Sequence, residues 1–368
     1  MTVSEPPLLA AQRRERLLAD LRARGTLRVS DIARALGVTP VTVRRDIAQL
    51  AGEGAIERVH GGIRLPRTQE MSEDPEATPG LEEGGHPAVG MVVPSLDYYW
   101  PEIIRGARDA APAAGVRLVL RGSSYDDVHD VRRQVTWLLE TVGIQGLLIA
   151  PPTIGDEASR LITWLASLAI PVTFVERTAT VGPYREHVES VSTDHAFGAS
   201  LAVRHLVGLG HTKIGFLASS TSPTTPAVRR GWMETSAETD LDVTATLDVT
   251  TPDYRDPRWH DELDSSLDTC LATGTTAVLV HSDREAISLV ARCEERGIKV
   301  PGDLAVVAYD DEVAGLANPA LSAIRPAKYA IGEAAVQLQA RRLFAEPGRP
   351  VHRIRISPQL VVRDSSRT

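Results

Sequence analysis

From residue 88 onward, short apolar runs alternate with longer amphipathic ones, and this rhythm limits the possible folds more than any other feature of the chain. "AVGMVV" (88–93), "RLVLRG", "GLLIAP", "PVTFVE", "KIGFLA", "TAVLVHS" and "LAVVAYD" are the apolar runs. Between them lie helical patterns such as "DVRRQVTWLLETVG", "EASRLITWLASLA", "SLAVRHLVGLG" and "EAISLVARCEERGI". A strand that is apolar throughout must be covered on both faces, and helices between strands supply that cover as βαβ units with parallel strands. Two such sheets suit the length of the region better than one, so the expected fold is α/β with two parallel-sheet lobes.

Charge divides the chain differently. The formal net charge of −8 argues against a nucleic-acid partner. Residues 1–67, however, carry 12 Arg against 7 acidic residues, a net of +5, and the remainder carries −13. A basic head on an acidic body is expected when only the head meets a polyanion. Residues 64–87, "RLPRTQEMSEDPEATPGLEEGGHP", hold too little apolar surface to offset chain entropy and read as a linker. The expected domains are therefore 1–65, a linker over 66–87, and 88–368.

Other classes find little support. Cys270 and Cys293 have no CxxC or histidine partner at metal spacing, so no metal site is expected and both thiols are predicted to be reduced. The opening "MTVSEPPLLAAQRRERLLADL" is broken by Arg13, Arg14, Glu15 and Arg16, unlike a secretory signal. No run approaches the ~18 apolar residues of a membrane span. These features predict a cytoplasmic protein without a membrane partner. HExxH, GxSxG, Walker-A and GxGxxG patterns are missing from the strand–helix contexts they need, so neither catalytic residues nor a cofactor is expected.

Three helices can be drawn in the head. The first runs from about Leu9 to Arg24 and is stopped by Gly25; the second opens on Ser30 as N-cap and turns Ile32, Ala33 and Leu36 inward. "TPVTVRRDIAQL" (39–50) is the third, with Thr39 as N-cap and Pro40 at the first helical position. Val43, Ile47 and Leu50 share one face, which leaves Thr42, Arg44 and Arg45 to point elsewhere. "AIERVHGGIRL" then reads as two short strands joined by a tight turn, a wing bearing Arg58, His60 and Arg64. An Arg-Arg pair on a helix is often only a solvated face. With caps, turn and wing around it, the pair is placed to reach guanine edges or phosphates in a major groove; the Thr39 hydroxyl can take a phosphate, the wing residues track the backbone or enter the minor groove, and Ser30 and Thr42 are further candidate DNA contacts.

"RRERLLADLRARGTLRVSDIARALGVTPVTVRRDIAQLAGEGAIERVHGGIRL" resembles the N-terminal domain of the DeoR family of bacterial repressors, through "TVRRDI" and "RVHGG" in particular. That resemblance implies a winged helix-turn-helix that binds double-stranded operator DNA as a dimer, with the third helix as reader.

The body resembles a different family, the effector domain of LacI/GalR regulators, which has the periplasmic-binding-protein fold. The resemblance runs over about 88–364 through "VGMVVPSLDYYWPEIIRGARDAA", "VSTDHAFGASLAVRHLVGLGHTKIGFLA", "HSDREA" and "GIKVPGDLAVVAYDDEVAGLANPALSAIRP". It implies lobe 1 at about 88–195 plus 324–346, lobe 2 at about 196–323 plus 347–364, and a homodimer or tetramer. Ligands of such folds bind beyond the carboxyl ends of the strands. There Asp97, Glu176, Asp283 and Asp310 are placed to accept hydroxyls, Arg177 to donate, and Tyr98, Tyr99 or Trp100 to stack on a sugar. Packing of the rings, an N-cap for Asp283 and bracing of the "YDDEVAG" loop by Asp310 and Asp311 are the plainer readings.

The chain also departs from that family. The position of its common effector-binding arginine is Val228; a one-residue shift would let Arg229 make the contact. Ser282 stands where an Asn is frequent, and the family's own DNA-binding head and hinge helix are replaced. Together the two halves imply a ligand-responsive repressor of carbohydrate uptake or catabolism genes with a carbohydrate effector. A solute-binding or sugar-metabolising protein of the same two-lobed fold is the alternative.

Overall fold

The computed structural model describes residues 26–28, 32, 38, 42–43, 47, 50, 57–59, 62–64 and 85–367, with 126, 221, 253–255 and 345–347 excepted. The chain divides into two compact units, Met1–Glu83 and Gly84–Thr368.

In the first unit, β1 (Thr26–Arg28), β2 (Glu57–Val59) and β3 (Gly62–Arg64) form an antiparallel sheet in the order β1-β3-β2. The β2–β3 hairpin pairs Glu57 with Arg64 and Val59 with Gly62, which is the expected wing; β1 adds a strand the sequence did not suggest. Ile32, Val43, Ile47 and Leu50 are buried helical residues, so the predicted i, i+4, i+7 face is the one that packs inward. Thr42 is half-buried. Arg58 and Arg64 lie on β2 and β3, whereas Ser30, Thr39, Arg44, Arg45 and His60 lie outside the described residues.

The second unit alternates as expected. Its first sheet comprises β4 (Ala88–Val93), β5 (Arg117–Gly122), β6 (Gly146–Ile149), β7 (Val172–Val175), β10 (Ser190–Thr193) and β16 (Arg353–Ile356) in the order β16-β10-β7-β6-β4-β5. A two-stranded hairpin, β8 (Thr180–Val181) and β9 (Glu186–His187), interrupts the sequence after β7. The second sheet comprises β11 (Ile214–Ser219), β12 (Asp248–Thr251), β13 (Ala277–His281), β14 (Ala305–Tyr309), β15 (Ser322–Arg325) and β17 (Gln359–Val361) in the order β12-β11-β13-β14-β15-β17. Within these two six-stranded sheets the pairings are parallel except that of β17 on β15. The helices are α1 (Trp100–Ala110), α2 (Val128–Trp137), α3 (Asp156–Ala166), α4 (His195–Gly208), α5 (Thr225–Glu238), α6 (Trp259–Thr273), α7 (Asp283–Glu295) and α8 (Lys328–Leu343). Apolar clusters lie on both faces of each sheet, which is why the strands read as unbroken apolar runs.

One expected boundary moves. The chain passes between the sheets after β10, after β15 and after β16, so 353–356 belongs to the first sheet and not to the second lobe, and Ile324 and Arg325 belong to the second. The cause lies in "RIRI": Ile354 and Ile356 pack on the apolar cluster beneath α1 and α8, and Ser190 to Thr193 hydrogen-bond to the strand they form.

Close helix packing in the first lobe depends on two glycines. A Cβ at Gly332 of α8 would collide with the carbonyl oxygen of Ile103, and one at Gly106 of α1 with that of Tyr329. Gly332→Ala should therefore lower stability by about 1–3 kcal/mol through overpacking, despite the better helix propensity of alanine. A denaturant midpoint at or above that of the parent chain would show that the two backbones do not meet.

Candidate ligand-binding cleft

The carboxyl ends of strands from both sheets of the second unit surround a cavity of about 690 Å³. Its walls follow directly from strand ends. Pro94 to Trp100 follow β4, Glu176 and Arg177 follow β7, His195 follows β10, Ser222 to Thr224 follow β11, His281 and Ser282 follow β13, and Asp310 follows β14.

Glu176 organises the floor. It adopts a left-handed backbone, φ 55°, at the end of β7, and only 4% of it is exposed. Tyr99 Oη donates to Oε1 at 2.8 Å, the Thr193 hydroxyl to Oε1 at 2.7 Å and the Thr193 amide to Oε2 at 3.0 Å. His195 Nε2 stands 3.4 Å from Oε2, at ion-pair distance but without a well-directed hydrogen bond. Burial pushes the carboxyl upward, yet His195 and Thr193 outweigh it and bring the pKa down to about 2. Both oxygens are thus engaged by protein groups. Glu176 holds Tyr99 and His195 in place and is not the free hydroxyl acceptor expected from the sequence.

Asp283 is a second correction. It is fully buried and does not line the cavity; its carboxylate accepts the backbone N–H groups of Asp311 (3.2 Å), Glu312 (2.6 Å), Val313 (2.9 Å) and Ala314 (3.2 Å). Burial nevertheless raises its pKa to about 6. The N-cap of α7 is Ser282, which forms a capping box with Glu285. Bracing of the "YDDEVAG" loop, expected of Asp310 and Asp311, is thus shared: Asp283 takes its amides, and Asp311 pairs with Arg325 and Arg363 at 2.6 and 2.8 Å.

Asp310 is left to face the cavity. It stands at φ 96°, and Lys328 Nζ donates to its backbone carbonyl at 2.6 Å. Burial and the nearby Asp283 raise its pKa well above the usual carboxylate range. Asp97 lies exposed at the cavity edge, in a turn where its amide donates to Ser95 Oγ at 3.0 Å.

Arg229 is the third correction. Its guanidinium pairs with Asp248 at 3.1 Å and with Thr250, and covers the ring of Phe216. It is spent on the outer strand β12 and does not line the cavity. Val228 is completely buried in the core between α4, α5 and the second sheet, so the register of α5 offers no cleft arginine at either position.

The aromatic run divides its duties. Trp100 is only 1% exposed, and its indole N–H donates to Tyr125 Oη at 2.9 Å; Tyr98 and Tyr99 are half-buried and line the cavity. Arg177 donates to the carbonyl of Glu176 at 2.8 Å and lies 5.9 Å from the Trp100 ring centre. Arg177 and His281 line the cavity, and the buried Nε of the first and Nδ1 of the second have no hydrogen-bond partner among the described residues.

Several contributors were not singled out as ligand contacts. His195 opens α4 behind its cap Asp194, and its Nδ1 contacts Tyr309 Oη at 3.1 Å. His281, Thr224, Ser222, Tyr125 and Arg284 complete the lining. His281 and Arg284 flank Ser282 and Asp283 in the "HSDREA" motif, but nothing local in the sequence separates their roles from that of Asp283. Among the described residues no group of acidic, histidine or cysteine side chains has the arrangement of a metal site.

Comparison with known proteins agrees with this geometry. The DeoR-like helix-turn-helix domain family matches residues 13–69, and the periplasmic binding protein-like domain family matches residues 203–366. The two matches follow one another along the chain. It is 25% identical over 346 residues to the HTH-type transcriptional repressor PurR of Pasteurella multocida (strain Pm70), covering 92% of this chain and 98% of that protein. It is 27% identical over 359 residues to the HTH-type transcriptional regulator MalR of Streptomyces coelicolor, covering 93% and 97%. Among solved structures, the transcription regulator CcpA of Lactococcus lactis superposes with a TM-score of 0.61 at 20% identity, over 76% of this chain and 99% of that one. A periplasmic binding protein/LacI transcriptional regulator from Alkaliphilus metalliredigens QYMF, complexed with D-xylulofuranose, gives 0.61 at 17% identity over 76% and 98%. At these identities the structures establish the shared fold. Among the described residues no helix is long and apolar enough to cross a membrane.

The buried histidine next to the cavity ties stability to acidity. Burial, with His195 nearby, lowers the pKa of His281 to about 3 from an unfolded value near 6.5. Its folded pKa is depressed, so the unfolded chain binds the proton first, and this residue's share of stability is lost as pH falls from about 6.5 towards 3. Urea denaturation of His281→Gln should show a shallower loss of stability between about pH 6.5 and 4 than the parent chain. Equal slopes would mean that His281 is protonated in the folded state.

Proposed function

We propose that this chain is a ligand-responsive transcriptional repressor that binds operator DNA through its DeoR-like domain and a carbohydrate in the cleft between its two sheets. The observation that carries the proposal is the conjunction of a helix-turn-helix match over 13–69 with a cleft of about 690 Å³ lined by carboxylate, guanidinium, hydroxyl and aromatic groups. The relatives named as transcriptional repressors and regulators over nearly their whole length support the regulatory half of it.

The cleft chemistry supports a polyhydroxyl ligand. Asp310 and Asp97 supply acceptors, Arg177 and Arg284 fork-shaped donors, and Tyr98 and Tyr99 flat faces for C–H groups. Vicinal hydroxyls donate and accept from the same carbon frame, so a sugar satisfies such a mixed lining with few unpaired groups. The operator reading assigns Arg44 and Arg45 to base edges, with Ser30, Thr39, Thr42, Arg58, His60 and Arg64 on phosphates or the minor groove.

Regulation follows from geometry. A homodimer presents two heads to half-sites about 10–10.5 bp apart or a multiple of that, so a change of angle between lobes that alters their separation changes operator affinity. The ligand must prefer one lobe arrangement, or it shifts nothing.

Footprinting on the chain's own upstream DNA tests the reading directly. Arg45→Ala should weaken specific binding by about 1–3 kcal/mol, while Asp310→Ala should keep operator binding and lose the response to sugar. A protein that ignores this DNA at low ionic strength, with and without a panel of sugars, is not this repressor.

A further inference from the structure

A second polar cavity, of about 510 Å³, lies against the outer strands of the first sheet. The alternation of β16 creates it: Ile354 and Ile356 pack into the core under α1 and α8, so Arg353 and Arg355 point to the opposite face. The parallel register sets Ser190 beside Arg353 and Ser192 beside Arg355, giving two hydroxyls and two guanidiniums on one patch. The β8–β9 hairpin folds across this patch, bringing Arg185, at φ 53°, and His187 to its rim. Thr178 and Ser159 add hydroxyls from the hairpin's entry and from α3.

The charge balance here is opposite to that of the chain. With 48 acidic against 40 basic residues overall, no Asp or Glu lines this cavity. Among the described residues no carboxylate pairs with Arg185, Arg353 or Arg355; Arg353 touches His187 Nε2 at 3.1 Å. The nearest hairpin acid, Glu186, ends 4.0 Å from the Cβ position of Gly182 and pairs with none of them. Three clustered guanidiniums repel one another, and a chain this rich in carboxylates has many ways to neutralise them. An anion from outside the chain satisfies the cluster. Guanidinium forks and hydroxyls match the tetrahedral oxygens of a phosphate, and Ile162, Ala179 and Val181 give the cavity an apolar side that a bare ion does not need.

We propose that this cavity binds a small phosphorylated metabolite, with its phosphate held by Arg185, Arg353 and Arg355. None of these three arginines lines the 690 Å³ cleft, although Arg355 also lines a small adjoining cavity with Glu176, Arg177 and His195, so the variants below separate this inference from the carbohydrate reading.

Isothermal titration of the full chain with glucose 6-phosphate, ribose 5-phosphate, glycerol 3-phosphate, inorganic phosphate and glucose tests it. At least one phosphate ester should bind, more weakly as salt rises, and the Arg353→Gln/Arg355→Gln double variant should weaken it by about tenfold or more. Arg185→Gln should weaken it less. All three side chains are exposed, so an unchanged thermal midpoint shows that the variants fold. Asp310→Asn, in the cleft, should leave ester binding unaltered; loss there with retention in the double variant would place the ester in the cleft and overturn the proposal. Silence with every ester and with phosphate at millimolar concentration would also overturn it. Binding of inorganic phosphate alone would identify a bare-anion site and reject the metabolite.

Discussion

The cleft depends on one buried carboxylate. Glu176 gathers Tyr99 from the β4–α1 turn, Thr193 from the end of β10 and His195 from the start of α4. His195 in turn contacts Tyr309 at the end of β14. A continuous polar chain, Tyr99–Glu176–His195–Tyr309, therefore crosses from the first sheet to the second at the base of the cavity. A carboxylate removed from water costs far more than it returns unless it is fully paired, and here pairing fixes the positions of three strand ends at once. Such a connection gives the two lobes a defined approach, so that ligand is read against a formed surface.

Asp283 performs the equivalent task in the second lobe. Four amides converge on it, and the loop they belong to carries Asp310 into the cavity and Asp311 towards Arg325 and Arg363. Two carboxylates adjacent in sequence thereby acquire opposite duties. Asp311 is buried against two arginines that reach solvent, Arg325 and Arg363; Asp310 faces the cavity. The raised pKa of Asp310 follows from burial beside Asp283, and hydroxyl groups of a polar ligand would relieve part of that cost.

Much of the fold was legible because apolar periodicity reports burial directly. Runs such as "AVGMVV" and "AVVAY" became strands buried on both faces, and Val43, Ile47 and Leu50 became a packed helix face. The site was legible only as a set of strand ends. Asp97, Tyr98, Tyr99, Arg177 and Asp310 were found there because a polar residue just after a buried strand has few other places to go. Glu176 and Asp283 satisfy the same rule and yet serve the protein itself, and Arg229, inside α5, is spent on Asp248. The place of His195 and His281 in the cleft wall is not legible in the sequence, because a histidine at a helix start or strand end looks the same whether it faces core, cleft or solvent.

The sequence by itself determined that a basic helix-turn-helix head precedes an α/β body with two sheets, since charge, capping residues and hydrophobic period are local properties. Only the tertiary structure decided which carboxylates and arginines remain free for a ligand. That depends on partners distant in sequence: Thr193 for Glu176, the 311–314 amides for Asp283 and Asp248 for Arg229. A side chain's chemistry is written in the sequence, but whether that chemistry is already satisfied is settled by what folding brings within about 3 Å of it.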